Sequence, residues 1–379
     1  MPNGKSGNPP QEQIEMESLF SGIYQDRNVL ITGHTGFKGS WLAFWLGNMG
    51  AKVCGYSLAT DTDPNHYSLL TLGTHSIIAD IRNFQELTKC FQVFQPEIVF
   101  HLAAQALVRR SYRNPFETFE TNVMGTVNVL EACRIADSVR AVVIVTSDKC
   151  YQNNEWEWGY RESDPMGGHD PYSASKGCAE LVTAAYRDSF FSKNTEAKNQ
   201  PLIATVRAGN VIGGGDWAED RLIPDIARAA SRKETVKIRN PKATRPWQHV
   251  LEPLSGYLML GQRLLEGSRA FANAWNFGPS DNDTLSVRKV LERIQIHWKG
   301  LDFIFEPNEV QLHEAGLLKL DSSRARQRLG WRPVWDCAQA LEQTAKWYQA
   351  FYDQGLVSTG DDLAAYIEAA RARELLWSK

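Results

Sequence analysis

Two short segments of this 379-residue chain carry side chains that chemistry uses together. Thr146-Ser147-Asp148-Lys149 closes a very apolar run, Ala141 to Val145, and Tyr172-Ser173-Ala174-Ser175-Lys176 opens a helical stretch. A Tyr and a Lys four apart on a helix lie on one face. There the ammonium favours phenolate and lowers the pKa of the phenol. With a hydroxyl from Ser147, the set suits taking a proton from an alcohol while its hydride leaves for a nicotinamide. Asp148 and Lys149 exceed what that oxidation needs and point to a second chemical step.

A dinucleotide site is written near the start. Thr32-Gly33-His34-Thr35-Gly36-Phe37-Lys38-Gly39 follows the apolar run Val29 to Thr32 and leads into a helical segment, Gly39 to Asn48. Gly33, Gly36 and Gly39 permit a tight turn and let a diphosphate approach the backbone at a helix N-terminus, where free N–H groups and the dipole favour anions.

The elements that must hold these residues alternate. Strands are expected at 29–32, 51–57, 76–79, 98–102, 141–145 and 202–207. Helices are expected at 39–48, 84–94, 114–136 and 171–192, the last with Asp170 as cap and Pro171 in its first turn. Strand and helix in strict turn predict an α/β, doubly wound parallel sheet of Rossmann type. Beyond Asn210 the rhythm loosens, with a helix at 222–232 and short strands near Val236 and at 275–277. The expected organisation is a loose tail over 1–17, a dinucleotide-binding domain over 18–210, and a smaller C-terminal substrate lobe over 211–379, interleaved with the first.

Composition narrows the class. The chain is 43% hydrophobic and 22% charged with net charge −3, so nucleic acid is not an expected partner. Six scattered cysteines, none in a Cys-x-x-Cys pair, argue for free thiols and against a metal site. No apolar run approaches the ~18 residues of a membrane helix, and the polar N-terminus has no signal-peptide core. The expected location is the cytoplasm.

The Gly-x-x-Gly-x-x-Gly spacing, His101-Leu102-Ala103-Ala104-Gln105, Asn122-Val123-Met124-Gly125-Thr126 and the Ser147, Tyr172, Lys176 set resemble the extended short-chain dehydrogenase/reductase family. That resemblance implies bound NAD, contacted by Gly33, His34, Gly36, Phe37, Gly39, Asp80, Ile81, Leu102, Ala103, Ala104, Asn122, Tyr172 and Lys176. Where the family holds the adenosine ribose with an acid, this chain has Ser57; Asp61 or Asp63 would have to substitute. No Arg or Lys follows closely, which favours NAD over NADP.

Asp148-Lys149 sits where nucleotide-sugar 4,6-dehydratases carry Asp-Glu. Lys in place of Glu resembles the branch acting on CDP-glucose, as do Gly168-His169-Asp170-Pro171-Tyr172 and Arg207-Ala208-Gly209-Asn210-Val211-Ile212-Gly213-Gly214-Gly215-Asp216-Trp217. The resemblance implies Tyr172 as base at O4, Lys176 on the nicotinamide ribose, and Ser147 donating to the substrate oxygen. Asp148 is then the acid at C6 and Lys149 acts at C5, as base or as charge on an enolate. Asn210, Arg221 and Arg245 match positions that bind the sugar-nucleotide diphosphate. A homodimer or homotetramer built on the two long helices is the family's usual assembly. Another nucleotide-sugar 4,6-dehydratase, a 4-epimerase and a non-catalytic NAD-binding sensor are the rival readings.

Overall fold

Ala141–Val145 is apolar without alternation because both of its faces are covered, and all five residues are buried. The edge strand His75–Ile78, by contrast, has no buried residue. The computed structural model describes residues 16–191, 200–238, 240–280, 283–298, 301–306 and 317–379. Residues 1–15 of the expected tail, and position 192 at the end of the second long helix, lie outside the described residues.

In chain order the elements are β1 (Asn28–Thr32), α1 (Phe37–Asn48), β2 (Lys52–Ser57), α2 (His66–Leu69), β3 (His75–Ile78), α3 (Phe84–Phe94) and β4 (Ile98–His101). Then come α4 (Val108–Arg113), α5 (Pro115–Phe119), α6 (Gly125–Ile135), β5 (Ala141–Val145), α7 (Pro171–Tyr186), β6 (Leu202–Ala208) and β7 (Asn210–Ile212). The second half adds α8 (Leu222–Arg232), β8 (Val236–Ile238), β9 (Thr244–His249), α9 (Leu251–Leu265), β10 (Ala274–Phe277) and β11 (Thr284–Ser286). It ends with α10 (Val287–His297), β12 (Phe303–Phe305), α11 (Cys337–Gln354) and α12 (Thr359–Ala372).

Seven strands form one parallel sheet in the order β10-β6-β5-β4-β1-β2-β3, the doubly wound arrangement expected from the alternation. Small sheets β11-β9-β7 and β12-β8 lie outside it. Both long helices depart from a continuous α-helix. A π-turn over Glu120–Met124 joins α5 to α6, and a second, Arg187–Phe191, extends α7. Among the described residues, no helix is long and apolar enough to cross a membrane.

The second half is tied into the main sheet. The α9 side chains Leu251, Leu254, Tyr257, Leu258 and Leu260 are fully buried, and burying each leucine contributes about 1.5–3 kcal/mol. Glu252 in α9 accepts from the backbone N–H groups of Val334 (2.9 Å) and Trp335 (2.7 Å) and from the Tyr366 hydroxyl (3.0 Å). One buried carboxylate thereby fastens the segment before α11, and α12, to the helix beneath the sheet.

Candidate active site

The strands' carboxyl ends open into a cleft of about 1080 Å³ whose far side is lined by residues of the small sheets. Its cofactor half is a backbone cradle. Gly33 has φ +80°, and a Cβ there would lie 2.7 Å from the Ala103 nitrogen; a Cβ on Gly39 would lie 2.1 Å from the Gly33 carbonyl oxygen. Gly36 caps α1 without a side-chain hydrogen bond, so the first N–H groups of the helix remain available to an anion. This chemistry fits a dinucleotide diphosphate. Gly33, Gly36, Phe37, Gly39, Asp80, Ile81, Leu102, Ala103 and Ala104 all line the cleft.

Two expected cofactor contacts do not reach it through their side chains. His34 is buried behind the loop, its Nε2 2.8 Å from the Ser76 hydroxyl and its ring against Tyr67. Asn122 sits in the π-turn. Its amide donates to the Gln105 carbonyl (3.0 Å) and the Ser175 hydroxyl (2.8 Å), and its oxygen accepts from the Gln105 N–H (2.8 Å). It therefore pins the loop after β4 to the catalytic helix. The Asp80 carboxylate is gripped by Arg82, which holds it below the usual carboxylate range. In place of the ribose acid, the Ser57 and Thr35 hydroxyls bond each other at 2.8 Å. Asp61 lines the cleft beside them; Asp63 is not among the lining residues.

Asp170 caps α7, accepting from Ser173 N–H at 2.9 Å and Ser173 Oγ at 2.5 Å. The helix sets Tyr172 and Lys176 one turn apart, and β5 delivers Ser147, Asp148 and Lys149 to the same end of the cleft. The Ser147 hydroxyl donates to Asp148 Oδ1 at 3.0 Å and is also a hydrogen-bond partner of Tyr172. Burial raises the Asp148 pKa against the pull of Lys149, Ser147 and Arg245. A carboxyl raised by burial is poised as an acid. Burial lowers Lys176 to about 8, opposed by Glu180.

Tyr172 departs from the expectation that Lys176 lowers its pKa. Burial pushes the phenol up to about 12, with Ser147 and Arg221 pulling it down. Lys176 donates instead to the Val145 carbonyl at 3.3 Å, and the neighbouring Glu180 charge offsets its field.

Glu180, missed in the sequence, lies a further turn along the face that carries Tyr172 and Lys176. Its carboxylate receives a two-pronged Arg207 guanidinium (2.8 Å at both oxygens), Thr146 Oγ1 (2.5 Å) and Thr205 Oγ1 (2.7 Å). Burial raises its pKa, but these donors win and hold it below the usual carboxylate range. Arg207 also donates to the Tyr151 hydroxyl at 2.6 Å. The pair fixes α7 to the ends of β5 and β6. Replacing Glu180 by Gln leaves Arg207 buried and uncompensated, so urea unfolding is expected to show a loss of about 3–5 kcal/mol; a loss under 1 kcal/mol would contradict this role. The i+4 and i+8 spacing from Lys176 and Tyr172 was the available signal.

On the substrate side, Asn210, Arg221 and Arg245 all line the cleft. Arg221 Nη1 bonds Asp216 Oδ2 at 2.9 Å, and Arg245 Nη1 donates to the Thr244 carbonyl at 2.9 Å. Asp216 is set by aromatic packing: a Cβ on Gly214 would fall 2.0 Å from the Trp347 ring and one on Gly215 2.3 Å from His66. Arg109 Nη1 approaches Asp220 at 3.4 Å across the mouth. Among the described residues, no group of three or more His, Cys, Asp or Glu could hold a metal ion.

The chain matches the GDP-mannose 4,6 dehydratase family over residues 30–344. It is 49% identical to a CDP-glucose 4,6-dehydratase of Salmonella typhimurium, over 93% of this chain and 99% of the relative. Its fold is shared with epimerase Mth375 of Methanothermobacter thermautotrophicus, at TM-score 0.77 and 22% identity, covering 90% of this chain and 96% of that one. It is likewise shared with the dTDP-glucose 4,6-dehydratase of Bacillus anthracis solved with NAD, at TM-score 0.69 and 20% identity, covering 85% and 98%.

Proposed function

The chain belongs to the GDP-mannose 4,6 dehydratase family, and from that premise we propose that it converts CDP-glucose to CDP-4-dehydro-6-deoxyglucose and water, with NAD as cofactor. The observation that carries the reading is Asp148-Lys149 joined to Ser147 and Tyr172 at one end of the cleft. The nucleotide rests on the relative that is 49% identical over almost its whole length; the family name alone would leave it open. The same chemistry leads into deoxysugar assembly, including lipopolysaccharide precursors, and belongs in the cytoplasm, where nucleotide sugars and NAD meet.

NAD, when bound in the glycine cradle, supplies the acceptor for the C4 hydrogen and returns that hydrogen to C6, so net redox is zero. Lys176 would hold the nicotinamide ribose and Asp80-Ile81 the adenine, with Phe37, Leu102, Ala103 and Ala104 lining the same half of the cleft. Tyr172 takes the proton from O4, with Ser147 donating to the same oxygen. The resulting 4-ketone makes the C5 proton acidic. Lys149 acts at C5, and Asp148, whose pKa burial raises, is the acid that gives its proton to the departing C6 hydroxyl. Protonation at C5 completes the product. Asn210, Arg221 and Arg245 bind the substrate diphosphate, where arginine forks match phosphate oxygens.

Exposed Phe116, Met124 and Leu181, on the α5 to α6 segment and on α7, support a homodimer or homotetramer through these helices.

The test is incubation with CDP-glucose and NAD, assayed for 4-keto sugar and for the loss of one water by mass. dTDP-glucose, UDP-glucose and GDP-mannose run in parallel. Product from CDP-glucose alone, without net NADH, is the expected result. Product from another nucleotide overturns the base assignment. No product from any of them overturns the dehydratase reading.

A further inference from the structure

No step above uses Lys38. It is the second residue of α1, where the helix dipole and free N–H groups already present positive charge and a cation is disfavoured. Yet its side chain lines the cleft. Its Nζ lies 5.7 Å from the centre of the Tyr257 ring. Tyr257 is fully buried in α9, its hydroxyl has no hydrogen-bond partner, and the charges of Asp148 and Tyr172 bear on it. Lys38 is therefore at the catalytic end of the cleft. Arg221, Lys176 and Asp148 are the charges that act on it. Arg221 is already paired with Asp216 and Lys176 is countered by Glu180, which leaves Asp148 as the carboxylate that attracts Lys38. Burial, then Arg221 and Lys176, lower the Lys38 pKa to about 7.

The group that accepts the C4 hydrogen must lie beside Tyr172, because the proton leaves O4 and the hydride leaves C4, adjacent atoms of one alcohol. Lys38 shares that end. We infer that Lys38 is a fixed charge that biases the bound dinucleotide toward its reduced form. The inference rests on the NAD reading above. Oxidised nicotinamide carries a positive charge and the reduced ring does not, so a neighbouring ammonium raises the energy of the oxidised form alone. At an effective dielectric of about 20, unit charges within about 10 Å interact strongly enough to change an affinity ratio roughly tenfold. Such a bias favours the initial oxidation at C4. It also holds the dinucleotide reduced while Asp148 and Lys149 carry out the elimination.

The test is binding without substrate. The purified full-length chain is titrated with NAD and, separately, with NADH at pH 6.5, for wild type, Lys38→Met and Lys38→Arg. The ratio Kd(NAD)/Kd(NADH) is expected to fall roughly tenfold in Lys38→Met and to stay within twofold of wild type in Lys38→Arg. Lys38→Gln serves the same comparison if methionine disturbs folding. Equal weakening of both forms would make Lys38 a diphosphate or packing residue and overturn the inference. An unchanged ratio in Lys38→Met, or its loss in Lys38→Arg, would overturn it as well. A wild-type chain that binds neither dinucleotide overturns the NAD reading itself, an outcome distinct from these.

Discussion

Tyr172→Phe is expected to lower kcat by at least about a thousandfold while leaving NAD and CDP-glucose bound with affinities near those of wild type. The phenol is the group assigned to take the O4 proton, and a positioned acid or base typically contributes 10²–10⁴-fold. Two neighbouring groups are committed elsewhere: the Ser147 hydroxyl donates to Asp148 and the Lys176 amine donates to the Val145 carbonyl. The ring is buried beside the cleft floor, so phenylalanine fills the same space. Steady-state turnover together with separate titrations of NAD and CDP-glucose checks the split. A variant that keeps a tenth of the wild-type rate would remove Tyr172 from the role of base.

Asp148→Asn is expected to separate the two halves of the reaction. Oxidation at C4 does not need the carboxyl, whereas departure of the C6 hydroxyl needs a proton that an amide cannot give. Elimination should slow by roughly 10²–10⁴-fold, and the absorbance of reduced nicotinamide should build up on mixing the loaded protein with CDP-glucose. Because burial raises the Asp148 pKa, the wild-type elimination should fall as pH rises through that raised value, where the acid form is lost. Lys149→Met is the companion: it should oxidise C4 but fail to exchange the C5 hydrogen with deuterium from solvent. If Asp148→Asn shows no reduced nicotinamide, the carboxyl acts before elimination and the assignment is wrong.

Much of this was readable where the signal is local. A run such as Ala141–Val145 is apolar throughout because both faces are covered, and Gly33 and Gly39 mark a turn that side chains would block. The four-residue spacing of Tyr172 and Lys176 needs only a helix to become a shared face. What resisted reading depends on contacts between distant residues. Glu180 and Arg207, 27 positions apart, look in isolation like two surface charges. His34 belongs to the cofactor motif but turns inward to Ser76. Asn122 is redirected by a π-turn that no propensity announces. The expected lowering of the Tyr172 pKa failed for the same reason, because burial is set by every segment around the ring and leaves no mark in Tyr-x-x-x-Lys. The small sheet β11-β9-β7 pairs residues 37 to 42 positions apart in sequence, so neither its pairing nor its register had a local sign.

The seating of β10 beside β6 bears on how this chain can be recombined with its relatives. A hybrid joined at residue 210 would seat a foreign β10 beside the host's β6, where a mismatch of side chains or register leaves peptide groups unpaired and open to aggregation. It would also set a foreign α9 against the host's β5 and β6, and a foreign carboxylate, or none, under Val334 and Trp335. The modular pieces are 210–249 and 284–306, which meet in the small sheets. Exchanging those two together, with α9, β10 and the C-terminal helices left in place, is the graft that keeps the hydride-transfer machinery intact while a different nucleotide is tried.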